Sequence, residues 1–179
     1  MSFIIIYFNS FLFEYEIRSE YVKRSFAILS HELLVGIIKL FAELNVGSVV
    51  ELAAGKGWLS YWLVKYSIPV LGCFDNMSWD AHFMGSLDFV ENKDSVKAVK
   101  DFPDVKLFVM CWPPYDNSMA YDVFDAMKEG QYLLYIGEGW GGCNADDKFF
   151  NTVRNHEIEV GISLLQFKGL RDHVFLYKK

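Results

Sequence analysis

The stretch "SVVELAAGKGW" (residues 48–58) decides the fold of this 179-residue chain. Its first half is a short, β-branched apolar run, which predicts a buried strand over residues 48–53. Small residues and glycines follow, and they allow the backbone to turn tightly and a ligand to approach it closely. Residues 57–66 then have the apolar spacing of a helix. A strand, a tight turn and a helix in this order indicate an open α/β sheet.

Strands and helices alternate along the rest of the chain. Strands are predicted at residues 69–75, 89–91, 106–112, 131–137, 157–167 and 173–179, and helices at 30–44, 94–100, 118–127 and 146–155. Ser30 and Asp146 are candidate helix caps, and Trp62 is expected to face the core. The last two strands are close in sequence, so we expect an antiparallel pair. The pattern predicts an α/β fold with a mostly parallel, doubly wound sheet that ends in this pair.

Ligands of doubly wound sheets bind outside the carboxyl ends of the strands, so the segments that follow the strands should share one rim. These segments are 53–57, 75–76, 111–117 and 138–144. Glu51 lies at one strand end and Asp75 at the end of the next strand. An ionised carboxylate at Asp75 can accept hydrogen bonds from both hydroxyls of a ribose. The rim therefore predicts a nucleoside-binding half-site.

The identity of the nucleoside depends on the turn after the first strand. Gly55, Gly57 and Ser60 nearly fit the G-x-G-x-x-G spacing, so a nicotinamide or flavin cofactor and an oxidoreductase stay open. Glu51 favours a different ligand, because its carboxylate would repel a pyrophosphate but would suit an ammonium group. S-Adenosylmethionine has such a group at its amino-acid end.

The order of "VVELAAGKGW", "VLGCFD" and "CWPPY" resembles the class I S-adenosylmethionine-dependent methyltransferases, and within them a group of small methyltransferase-like proteins with a CWPPY loop. The resemblance implies a Rossmann-like methyltransferase fold, S-adenosylmethionine as cofactor, and methyl transfer to an unidentified nucleophile. It places Glu51 at the methionine amino group and Asp75 at the ribose, with Ala53 where the family has a glycine. The candidate cofactor-binding residues are Glu51, Ala53, Ala54, Gly55, Gly57, Asp75, Asn76 and Cys111.

The loop "CWPPYD" (residues 111–116) resembles the substrate loop of amino-group methyltransferases. In that group the residue before Pro-Pro-Tyr accepts a hydrogen bond from the target nitrogen, and the tyrosine stacks on the target base. Trp112 cannot accept such a bond, because its indole N–H only donates. Three interpretations stay open: backbone carbonyls near Trp112 and Pro113 hold an amine, Trp112 and Tyr115 form an aromatic wall for a flat or cationic substrate, or the loop is a rigid structural turn.

Methyl transfer from a sulfonium needs mainly alignment, and a general base helps only when the acceptor loses a proton. Asp116 and Glu138 are the rim acids that could act as this base, although Asp116 could instead cap the next helix. Trp140 lies between glycines on the same rim and is a candidate ligand contact. The candidate catalytic residues are Trp112, Pro113, Tyr115, Asp116 and Glu138. The four histidines share no ligand spacing, so no metal site is predicted.

Composition limits the environment and the partners of the protein. A net charge of −6 argues against non-specific nucleic-acid binding, which requires basic residues. Three widely spaced cysteines fit a reducing, cytoplasmic compartment. The apolar stretch at residues 3–13 is shorter than the roughly 20 residues of a membrane-spanning helix. We expect residues 1–23 to pack on a methyltransferase-like domain at 24–179, or to contact a second copy or a protein partner. A fold that binds a nucleoside or a partner without catalysis is the alternative.

Overall fold

The computed structural model describes residues 14–76 and 85–179, and within these residues seven strands form one sheet. Residues 14–21 are helical and are called α1. The remaining elements in chain order are α2 His31–Glu43, β1 Val49–Leu52, α3 Trp58–Lys65, β2 Val70–Asp75, β3 Glu91–Asn92, α4 Ser95–Asp101, β4 Leu107–Cys111, α5 Met119–Ala126, β5 Tyr132–Glu138, α6 Asp147–Val153, β6 Glu157–Ile158 and β7 Asp172–Lys178.

The strands lie in the order β3-β2-β1-β4-β5-β7-β6. Strands β1 to β5 pair in parallel, whereas β7 is antiparallel to both β5 and β6. The strand order reverses between β1 and β4, which is where a doubly wound sheet opens a crevice. The predicted fold class is confirmed: a Rossmann-like sheet with an antiparallel C-terminal pair.

Two apolar clusters cover the two faces of the sheet. One joins strand residues to α4, α5 and α6, and its helix residues include Ala98, Val123, Phe124 and Phe149. The other joins the opposite strand face to α2 and α3 through Leu33, Ile37, Phe41, Leu59 and Leu63. Because β1 lies between both layers, all four of its residues are buried. This burial on both sides explains why the strand is apolar without alternation.

Both predicted caps are confirmed. The Ser30 hydroxyl accepts the N–H of Leu33 at 3.2 Å and starts α2, and the Asp146 carboxylate accepts the N–H of Phe149 at 2.8 Å and starts α6. The prediction that Trp62 faces the core is wrong, since this residue is 38% exposed. Helix α3 has only eight residues and buries a narrow face, which leaves Trp62 beside that face.

The long strand predicted at residues 157–167 is also wrong, because only Glu157–Ile158 pair with β7. The alternating apolar residues Val160, Ile162 and Leu164 pack against the cluster on α2 instead. A Cβ placed on Gly36 of α2 would lie 2.7 Å from Ile162, so the chain crosses this helix closely. The segment after Ile158 therefore packs on α2 and does not pair along the edge of the sheet.

The described part of the N-terminal segment contacts the segment between β6 and β7. The Glu14 carboxylate accepts the N–H of Lys168 at 2.7 Å, and the Tyr21 ring meets the Phe167 ring edge-on. Residues 1–13, which contain the whole apolar stretch at 3–13, lie outside the described residues. Among the helices of the described ranges, none has the length and apolar character needed to cross a membrane.

Candidate active site

A cleft of about 450 Å³ opens at the carboxyl ends of β1, β2 and β4, at the point where the strand order reverses. Its floor is the turn after β1, and its sides come from the end of β2, the start of α4 and the loop after β4. Residues 22–26, between α1 and α2, form a further wall. Three of the four predicted rim segments, 53–57, 75–76 and 111–117, therefore border one cavity, which is in the size range of small-molecule sites.

The turn after β1 consists of residues in left-handed backbone conformations. Ala53, Gly55 and Gly57 have φ angles of 51°, 54° and 81°. Gly55 lines the cleft, and a Cβ added to it would meet no atom of the described residues within 4 Å. Gly57 does not line the cleft, and its Cβ would lie 2.5 Å from Val90. The expectation that Gly57 contacts a ligand is thus corrected: its role is to let the chain pass Val90 into α3.

Glu51 projects from β1 into the base of the cleft, and only 1% of it is exposed. Its Oε2 accepts the N–H of Ser60 at 2.9 Å and the thiol of Cys73 at 3.7 Å. Burial raises the pKa of the Glu51 carboxyl to about 7, although these hydrogen bonds act in the opposite direction. A cationic ligand group would stabilise the ionised form, so the site is suited to an ammonium.

Asp75 ends β2 on the same side of the cleft. Its Oδ1 accepts the N–H of Gly55 at 3.1 Å, which ties the two predicted ligand-binding segments together. Asn76 and Cys111 also line the cleft, as do Ala53 and Ala54. The structure therefore brings together every predicted cofactor-binding residue except Gly57.

Trp112 lines the cleft with an unusual backbone, since its φ is 55°. Its ring stacks on Phe26, with 5.4 Å between ring centroids and 21° between the planes. Its Nε1 donates to Asp172 Oδ1 at 3.0 Å, and burial raises the pKa of the Asp172 carboxyl to about 6. Among the described residues the other oxygen, Asp172 Oδ2, is buried without a hydrogen-bond partner. Stacking on Phe26 and the hydrogen bond to Asp172 together hold the indole of Trp112 in place.

Three members of the candidate catalytic set, Pro113, Tyr115 and Asp116, are not part of the described lining of the cleft. The carbonyl of Pro113 accepts the Asn144 side-chain N–H at 3.2 Å. Tyr115 is 68% exposed and bridges to Ala145, whose carbonyl accepts the N–H of Asp116. This corrects the expectation for Pro113, Tyr115 and Asp116: the loop pairs with the segment before α6, which holds these residues outside the cleft.

Glu138 also differs from its predicted role. Its carboxylate accepts the N–H groups of Cys143 at 2.8 Å and Arg171 at 3.0 Å. Burial acts against the charge, yet these N–H groups hold the pKa of the Glu138 carboxyl below its usual value. The ionised carboxylate of Glu138 therefore joins two loops by hydrogen bonds, and it is not part of the described cleft lining. Trp140 is 68% exposed and donates to Asp147 Oδ1, also away from the cleft.

The sequence interpretation missed several residues of the cleft wall. They are Val22, Arg24, Ser25, Phe26, Trp58, Leu59, Ser95, Val96, Ser118, Met119 and Asp122, whereas Lys56, Pro114 and Asn117 line the cleft within the predicted rim segments. Some follow predicted rim segments and could have been included on position alone. Residues 22–26 had no such signal, because they lie in an irregular connection that reaches the rim only after the chain has folded.

No family model and no curated protein matches the sequence. Solved structures are similar. The methyltransferase domain of bacterial CtHen1-CN is 12% identical with a TM-score of 0.51, covering 83% of this chain and 98% of that one. A SAM-dependent methyltransferase from Archaeoglobus fulgidus is 13% identical with a TM-score of 0.50, covering 95% and 99%. PigF with SAH is 11% identical with a TM-score of 0.53, covering 83% and 55%.

This chain has the Rossmann-like methyltransferase fold. At these low identities the similarity concerns the fold alone. The cleft lies where the strand order reverses, which is the position at which doubly wound sheets bind their ligands. What the cleft binds has to be argued from its own residues.

Proposed function

We propose that this protein binds S-adenosylmethionine in the cleft and transfers its methyl group to a nucleophile bound beside it. The observation that carries the proposal is the meeting of Glu51, Gly55 and Asp75 at one cavity. A buried carboxyl lies at its base, an open glycine backbone lies on its floor, and a second carboxylate lies at the adjacent strand end. The solved structures of similar fold include one described as PigF with SAH, which supports the same cofactor.

The residues of the cleft fit the parts of this cofactor. Glu51 would pair with the ammonium of the methionine end, and this cation would favour the ionised form of a carboxyl whose pKa burial raises to about 7. Gly55 leaves room for the cofactor backbone, and Asp75 would accept ribose hydroxyls. Asp94 and Val96 follow β3 on the next side of the cleft and would lie beside the adenine. A pyrophosphate would face the Glu51 and Asp75 carboxyls, which disfavours a nicotinamide cofactor.

The cofactor supplies an activated methyl group, so this chain has to align an acceptor with the sulfonium and exclude competing water. The aromatic pair Phe26–Trp112 and the residues around Met119 form the part of the cleft left for the acceptor. Asp122 lines this part, and its carboxylate accepts the Ser118 hydroxyl at 2.7 Å. Orientation of this kind accounts for much of a bimolecular rate enhancement.

A non-catalytic role is the second candidate, and one observation favours it. The indole N–H of Trp112 is bound to Asp172 and the Pro113 carbonyl is bound to Asn144, so the loop lacks the polar grip of amino-group methyltransferases. A protein of this kind would bind the cofactor and its product without turning over an acceptor. It would also allow the apolar N-terminal segment to serve a protein partner or a second copy.

The proposal is tested by calorimetric titration with S-adenosylmethionine, S-adenosylhomocysteine and NAD. We expect micromolar binding of the first two, no binding of NAD, and loss of binding in Asp75→Ala. The matched control is Asp104→Ala, which removes an exposed acid that precedes β4 at the opposite edge of the sheet. Binding of NAD in preference, or equal binding by wild type and Asp75→Ala, would refute the proposed site.

A further inference from the structure

We infer that the methyl acceptor is a small molecule with an aromatic ring, recognised by the ring pair Phe26–Trp112. The inference rests on the proposed methyl transfer and specifies its substrate class. It follows from three features of the cleft: the composition of its acceptor wall, the hydrogen bonds already made by the proline loop, and the charge of its rim.

The acceptor wall combines an aromatic and apolar surface with the carboxylate of Asp122. Phe26 and Trp112 come from distant parts of the chain, stack on each other, and both line the cleft. Pro114 and Met119 line the cleft from the segment that follows Trp112. Aromatic rings pack well on such a surface, in offset-stacked or edge-to-face contact. The indole cannot swing aside freely, because Asp172 Oδ1 holds its Nε1 at 3.0 Å.

At Trp112 and Pro113 the wall offers an aromatic surface, because the polar groups of these two residues already have hydrogen-bond partners. The Trp112 N–H is already used by Asp172, and the Pro113 carbonyl is directed to Asn144. A base amine would need an oxygen acceptor at these positions to orient its N–H groups. A hydroxyl or amine carried by a ring can instead be positioned by the ring itself, since the wall fixes the plane of the acceptor.

The rim does not favour nucleic acid. Among the described residues, the cleft lining holds two basic side chains and four acidic ones, and the chain carries a net charge of −6; the bases are Arg24 and Lys56, and the acids are Glu51, Asp75, Asp94 and Asp122. Phosphate backbones require basic residues at close range. Tyr115, the ring that would stack on a target base, is 68% exposed and lies outside the described lining of the cleft. The volume of the cleft, about 450 Å³, is in the range of small-molecule sites.

The reaction is balanced without a further reagent. A lone pair of the ring-borne oxygen or nitrogen attacks the methyl carbon, and the bond from that carbon to sulfur breaks. The electron pair of the broken bond stays on sulfur, which turns the sulfonium into the neutral thioether of S-adenosylhomocysteine. The proton displaced from the acceptor leaves to water at the open side of the cleft.

The test measures transfer of labelled methyl from S-adenosylmethionine to catechol, aniline and indole, with cyclohexanol, cyclohexylamine and a single-stranded oligonucleotide as comparisons. Binding of the same compounds is titrated in the presence of S-adenosylhomocysteine. We expect binding and labelling of at least one aromatic compound and of none of the comparisons. Catechol and aniline distinguish an oxygen from a nitrogen nucleophile.

The variants assign the ring contact to Phe26. Phe26→Leu should lower kcat/KM for the aromatic acceptor by about two- to tenfold, the loss expected for one aromatic pair, with unchanged affinity for S-adenosylhomocysteine. Phe26→Tyr keeps the ring and should restore the rate. Tyr15→Leu is the matched control, because Tyr15 is an exposed aromatic residue of α1 outside the cleft lining.

The outcomes separate this inference from the proposed function. Failure to bind S-adenosylhomocysteine would refute the function itself. Normal binding of S-adenosylhomocysteine with preferential labelling of the oligonucleotide or an aliphatic compound would overturn the substrate class alone. Normal cofactor binding with no binding of any aromatic compound would also overturn it.

Discussion

The affinity of the cleft for S-adenosylhomocysteine should depend on pH through Glu51. Burial places the pKa of this carboxyl at about 7, and the ligand ammonium needs the ionised form. Lowering the pH below 7 therefore adds a deprotonation cost to binding, which approaches tenfold in the dissociation constant for each pH unit. From pH 7.5 to pH 5.5 the ionised fraction falls from about three quarters to about 3%, so the dissociation constant should rise by about 25-fold.

Calorimetric titration across this range measures the effect, and Glu51→Gln provides the comparison. A glutamine oxygen can still accept the N–H of Ser60, so the variant should keep the local hydrogen bond. It lacks the titrating charge, and we expect weaker binding at pH 7.5 and a nearly flat profile below it. The reasoning is refuted by a wild-type affinity that is independent of pH, or by an equal slope in wild type and Glu51→Gln.

Three further predictions concern the stability of the unliganded protein. The pKa of Glu51 is higher in the folded protein than its unfolded value of 4.5. The contribution of Glu51 to the free energy of unfolding is therefore fully present below pH 4.5 and is lost as the pH rises through 7, by about 3 kcal/mol in all. Urea unfolding should show Glu51→Gln more stable than wild type at pH 8 and nearly equal at pH 5; equal curves at both would contradict this. Asp146→Ala should cost about 1 kcal/mol by removing the α6 cap, with no change in affinity for S-adenosylhomocysteine. Gly57→Ala should lose about 2 kcal/mol or more, from its left-handed backbone and its contact with Val90, whereas Gly55→Ala should lose less stability but more cofactor affinity; the reverse order would refute the assignment of these glycines.

The sequence was a good guide to the turn after β1, to the helix caps and to the class of the sheet, although local periodicity misplaced Trp62 and the strand at 157–167. The buried run before Glu51, the small residues after it and the carboxylate of Asp75 predicted a nucleoside half-site, and these residues meet at one cleft. The caps at Ser30 and Asp146 were predicted for the same reason, since a cap depends on residues within one helical turn. Strand and helix periodicity indicated the sheet class, because buried and exposed faces leave a repeating pattern in the chain.

Tertiary structure decided which aromatic and acidic side chains reach the cleft. Tyr115 and Phe26 are both aromatic residues of irregular segments, and only the fold brings Phe26 onto Trp112 and holds Tyr115 outside. The antiparallel register of β5 and β7 places Glu138 opposite Asp172. Glu138 accepts the N–H of Arg171, whereas Asp172 accepts the indole N–H of Trp112. Such contacts join residues far apart in the chain, and no local periodicity records them. Local patterns therefore determined the fold and the part of the cleft that we propose for the cofactor, whereas long-range packing decided the part that we propose for the acceptor.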